Sequence, residues 1–139
     1  MQQPATAPPP ADPAHMREAT YPGTADQVGR VRHEVAAYLG DCPAADDLIL
    51  IASELAGNAV QHSQSQGEFF TVRCQAYPTY VWIEVEDRGG PWCPRPSDDR
   101  PHGLDIINAL AGPGNWGAET TTNGERIVWA RLELTSEGN

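Results

Sequence analysis

Two eight-residue runs constrain this chain more than any other feature. In 69–76, Phe70, Val72, Cys74 and Ala76 alternate with Phe69, Thr71, Arg73 and Gln75. In 80–87, Val81, Ile83 and Val85 alternate with Trp82, Glu84 and Glu86. A period of two places alternate side chains on opposite faces of a strand. Tyr77-Pro78-Thr79 between the runs reads as the turn of a hairpin. The aliphatic face of such a hairpin needs a cover, and the flanking sequence supplies helices.

Upstream, Thr24 reads as an N-cap with Gln27 in the capping-box position. Val28, Val31, Val35 and Leu39 follow at helical spacing, and Gly40 reads as the stop. A second helix is expected from Cys42-Pro43 to about His62. Pro stands at its first position, Asp46 and Asp47 lie in its first turn, and its apolar stripe is Leu48, Ile51, Ala52, Leu55 and Ala59. Downstream, residues 88–102 read as a loop with four prolines and one glycine pair, a length that is usually functional inside a compact domain. A helix from Leu104 to Ala111, a short strand around Trp116 and a final strand from Arg126 to Leu134 complete the order. These elements predict an α+β fold: a two-layer α/β sandwich whose mixed, mainly antiparallel sheet is covered by helices on one face.

The 139 residues fit one domain. Five of the first thirteen are proline, so residues 1–20 read as a disordered Pro-rich tail, 21–135 as the domain and 136–139 as a second tail. All nine basic residues are arginine, against nineteen acidic ones, for a formal charge of −10. That balance argues against direct nucleic-acid binding and against docking on an anionic membrane. The lack of lysine excludes a P-loop lysine and Schiff-base chemistry. Cys42, Cys74 and Cys93 form no C-x-x-C pair, and no stretch has membrane-spanning apolar length, so a reduced cytoplasmic protein is expected.

Three positions carry candidate chemistry. Glu54 and Asn58 are one helical turn apart, beside the apolar stripe. Alone they describe a solvated helix face; together they also suit a general base and a hard oxygen ligand for Mg²⁺. Asp87 shares the parity of Val81, Ile83 and Val85, which aims its carboxylate at the covered layer, where it needs a donor. It could cap the amides of its own loop or accept from an amine such as that of adenine, with Gly89-Gly90 leaving room for a flat ligand. Gly103 precedes a helix beginning at Leu104. That is an ordinary N-cap glycine or an anion site made of free amides and the helix dipole. His33-Glu34, by contrast, reads as a solvated helix face.

The order of these segments adds a resemblance. Glu54-Leu55-Ala56-Gly57-Asn58-Ala59-Val60-Gln61-His62 looks like the N-box of the histidine-kinase-like ATPases. Val85-Glu86-Asp87-Arg88-Gly89-Gly90-Pro91-Trp92 resembles their first glycine box and the start of the lid. His102-Gly103-Leu104-Asp105-Ile106-Ile107 resembles the second glycine box, and Gly124-Glu125-Arg126-Ile127-Val128-Trp129-Ala130 the closing strand. Within that superfamily the compact length and Pro-rich loop are most similar to the bacterial anti-sigma factor serine/threonine kinases.

The resemblance implies a Bergerat-type ATP-binding fold and a set of roles. Glu54 would be the general base, and Asn58 would hold the Mg²⁺ that bridges the phosphates of ATP. Asp87 would accept from the adenine amine, and Gly89 would leave room for the base. Gly103 and the helix start at Leu104 would face the phosphates. Implied partners are a sigma factor and a small STAS-domain anti-sigma antagonist, with a homodimer usual in the family. The chain also departs from the pattern. Pro101 replaces the first glycine of the second box and has no N–H to give a phosphate. Arg126 stands where the family often has a small hydroxyl residue. Two functions are therefore expected: a kinase that doubles as an anti-sigma factor, or a non-catalytic member that sequesters its partner.

Overall fold

The hairpin forms where the alternation puts it. In the computed structural model, which describes residues 16–62, 68–88 and 104–134, β2 (Phe69–Ala76) and β3 (Tyr80–Asp87) pair antiparallel, with Val72 opposite Val85 and Cys74 opposite Ile83. β5 (Arg126–Glu133) joins the other edge of β3, and β4 (Trp116–Thr120) pairs with β5. A strand that periodicity does not reveal, β1 (Arg17–Pro22), closes the opposite edge against β2. The sheet order is β1-β2-β3-β5-β4. All four pairings are antiparallel, so the expected parallel component of a mixed sheet is not found among the described residues.

β1 corrects the tail boundary: residues 17–20, assigned to the tail, are sheet. The reason is chemical. Arg17 takes an inward position of this short edge strand, and only Ala19 and Tyr21 supply apolar contact there. Glu34 makes the site acceptable by accepting from Arg17 Nη2 at 2.5 Å, Tyr21 Oη at 2.7 Å and Arg30 Nε at 3.0 Å. His33-Glu34 is therefore not simply a solvated face, because Glu34 ties the first helix to the edge strand. The Tyr21 hydroxyl, then the Arg30 guanidinium, hold its carboxyl at about 2.

One face of the sheet carries the core. Val81, Ile83, Val85, Phe70, Val72, Val128 and Ala130 are buried beneath α1 (Gln27–Leu39), α2 (Ala45–His62) and α3 (Leu104–Ala111). α1 contributes Val31, Val35 and Leu39, and α2 contributes Leu48, Ile51, Ala52, Leu55, Ala56 and Ala59. Gly40 ends α1 at φ 56°, a backbone region that favours glycine. Two helix starts differ from expectation. Thr24 gives its hydroxyl to Asp26 Oδ1 and closes a turn with Gln27 N–H, so Asp26, not Thr24, is the N-cap of α1. Cys42 to Ala45 form a separate turn, and α2 begins at Ala45 rather than Pro43, with Asp46 and Asp47 still in its first turn.

The other face is polar and aromatic. Trp82 and Trp129 stack at 4.7 Å, and Trp82 Nε1 donates to Glu84 Oε1 at 2.9 Å. Arg73 bridges Glu18, Glu84 and Glu86 across three strands. Among the described residues no helix is long and apolar enough to cross a membrane.

Candidate functional site

α2 packs on β3 and on α3, while α3 packs on β5. These contacts set α2 and α3 side by side over the β3–β5 part of the sheet. Asn58 lies at the flank of the α2 stripe and is 6 % exposed. Its Nδ2 is buried and meets no hydrogen-bond acceptor among the described residues. A buried amide donor without a partner is costly, and native proteins rarely keep one without a ligand or water. Glu54, one turn earlier and farther round the helix, is half-buried. The solvated-face alternative thus fits Glu54 better than Asn58.

Asp87 occupies the last position of β3 and points inward, as its parity predicts. Its partner was not legible in the sequence. The register sets Asp87 directly opposite Arg126, the first residue of β5, and Arg126 Nη2 donates to Asp87 Oδ2 at 3.2 Å. The two side chains are 2 % and 7 % exposed. The nearest signal in the sequence is parity: Arg126 shares the face of Val128, Ala130 and Leu132. Which carboxylate it would meet depended on strand order.

α3 begins at Leu104, as expected, with Asp105 in its first turn. Gly89, Gly103 and Pro101 lie outside the described residues, as does most of the loop 88–102. Among the described residues no group of three or more His, Cys, Asp or Glu could hold a metal ion. A Mg²⁺ here would take a single protein oxygen and complete its shell with phosphate and water, its usual habit. The Asn58 amide suits that arrangement, with its oxygen for the cation and its buried N–H for a phosphate oxygen. The buried Asn58 amide is compatible with a Mg²⁺-nucleotide. Asp87, which the resemblance implies accepts from the base, is engaged by Arg126.

The family model of the histidine kinase-like ATPase domain matches residues 21–123, most of the chain. The protein belongs to this family, whose fold is the ATP-binding Bergerat type. No match is found among curated proteins. The matched segment ends just before β5, the strand that carries Arg126.

Proposed function

We propose that this ATP-binding domain is a serine/threonine protein kinase that phosphorylates a small STAS-domain antagonist and itself acts as an anti-sigma factor in sigma-dependent transcription. The observation that carries the reading is the buried Asn58 Nδ2, without an acceptor among the described residues, one turn from Glu54. Asn58 would hold Mg²⁺ through its oxygen, and the cation would neutralise the phosphate oxygens of ATP, the substrate. Glu54 would take the proton from the attacking serine or threonine hydroxyl. That oxygen would bond to the γ-phosphorus while the bond to the β-phosphate oxygen breaks, leaving ADP and a phosphorylated antagonist. The amides at the start of α3 would face the phosphates. The cellular setting of this reading is the cytoplasm, with a sigma factor and the antagonist as partners and the chain as a homodimer.

One observation favours the second reading, sequestration of a partner without transfer: the Asp87 carboxylate is engaged by Arg126. Glu54→Gln separates the two. A kinase keeps its ADP affinity in this variant and loses transfer to the antagonist by about 10²–10⁴-fold, the usual contribution of a positioned base. Transfer is followed by intact-mass measurement of the antagonist. No transfer by the wild-type protein, with the partner still bound, leaves sequestration.

A further inference from the structure

The sheet face turned away from the helices carries Trp82 and Trp129, stacked at 4.7 Å on the neighbouring strands β3 and β5. No described helix covers the pair, since α1, α2 and α3 pack on the opposite face. The two residues are nevertheless only 6 % and 3 % exposed. Stacking shields the ring faces turned toward each other and leaves the outer surface of the pair to be covered by something else. Gln75, opposite Trp82 in the β2–β3 register, is buried as well. Its Oε1 accepts no hydrogen bond among the described residues. A buried acceptor of this kind is normally answered by a donor. We propose that the Pro-rich segment before β1, residues 4–15, runs as a polyproline II helix across this face and covers Trp82 and Trp129.

Position, length and chemistry select this occupant. β1 enters the sheet at Arg17, opposite Cys74 and, one strand further, Ile83. The chain just before it therefore arrives at the row of Gln75 and Trp82. Polyproline II rises about 3.1 Å per residue, so Pro10 to Met16 spans roughly 19 Å. The distance from β1 across β2 and β3 to β5 is roughly 14 Å at the usual strand spacing. Pro-rich segments dock on aromatic-lined surfaces because their conformation costs little entropy to fix. Pro10 and Pro13 are one polyproline turn apart and so share one side. Ala11, Asp12, Ala14 and His15 keep their N–H groups, which gives Gln75 a donor. A second copy of the chain suits the face less well. Glu18, Glu84 and Glu86 gather round Arg73 there, and two such faces would set like charges together. Residues 4–15 bring a single carboxylate, Asp12. A tether of a few residues also gives an effective concentration of about millimolar, so a contact too weak to hold a free peptide closes within the chain.

The full chain is tested with the photo-crosslinking residue p-benzoylphenylalanine placed at Ala11, alone and together with Pro10→Ser and Pro13→Ser. After irradiation, monomer is separated from cross-linked dimer, and the adducts are mapped by peptide mass spectrometry. Tryptophan emission is compared in the chain without the cross-linker, with and without the two serines, and circular dichroism establishes that each variant keeps its fold. The expected result is adducts within one chain on the peptides that carry Gln75, Trp82 or Trp129. The two serines should abolish them and shift the emission to longer wavelength as the indoles meet water. Adducts between two chains would make a second copy the occupant and overturn the proposal. So would adducts confined to other surfaces, or either readout left unchanged by the serines.

Discussion

Replacing Asp87 by asparagine should cost stability before it costs affinity. The asparagine is isosteric and keeps an oxygen toward Arg126, but it takes a carboxylate charge away from a guanidinium that is 7 % exposed. Removing one partner of a buried ion pair costs about 3–5 kcal/mol, because the survivor keeps its desolvation penalty. The retained hydrogen bond places Asp87→Asn near the lower bound, about 3 kcal/mol, against total stabilities of about 5–15 kcal/mol for domains of this kind. Arg126→Met should cost a comparable amount, because it takes a guanidinium away from a carboxylate that is 2 % exposed. The double variant removes both charges and should be more stable than the sum of the single losses implies, with a coupling of about 2 kcal/mol. Urea melts of the four proteins, followed by tryptophan fluorescence, give the cycle. Salt offers a second check, since a buried pair is screened far less than the exposed Arg131–Glu133 pair. Additive losses within about 0.5 kcal/mol would refute the argument, because the two groups would then be solvated independently.

Three further outcomes follow from particular contacts. Glu34→Gln should destabilise by about 1 kcal/mol at neutral pH, since the pair is partly open to solvent. The carboxyl is held at about 2, below its ordinary 4.5, so this contribution is full above pH 4.5 and fades as pH falls toward 2; wild-type and variant urea midpoints should converge there. Burial pushes the Cys74 thiol up to about 12, so a disulfide reagent at pH 8 should modify half-exposed Cys42 and reach Cys74 only on global unfolding; peptide mapping by mass spectrometry tells them apart. Gly117→Ala should lose about 1 kcal/mol by overpacking, because a methyl there would stand 3.0 Å from Trp129 Cζ2. Near-ultraviolet circular dichroism should register the shift of Trp129 against Trp82.

Local periodicity determined most of the architecture. The alternation of 69–76 and 80–87 defined two strands and the face each would bury, because a strand that covers one layer must repeat every two residues. The spacing of Val31, Val35 and Leu39 and of Leu48, Ile51 and Leu55 did the same for the helices that cover them. The parity of Asp87 and the separation of Glu54 and Asn58 were legible for the same reason, since each is a property of one element. β1 escaped because its inward positions include Arg17, whose charge is answered by Glu34 seventeen residues away. Tertiary structure alone decided which charges meet. Strand order put β5, not β4, beside β3, and the register then set Arg126 opposite Asp87. The burial of Asn58 likewise belongs to the folded chain and not to α2 alone. A sequence repeats the periods of its own elements, but pairing between elements is a sum over many weak contacts that no single segment encodes.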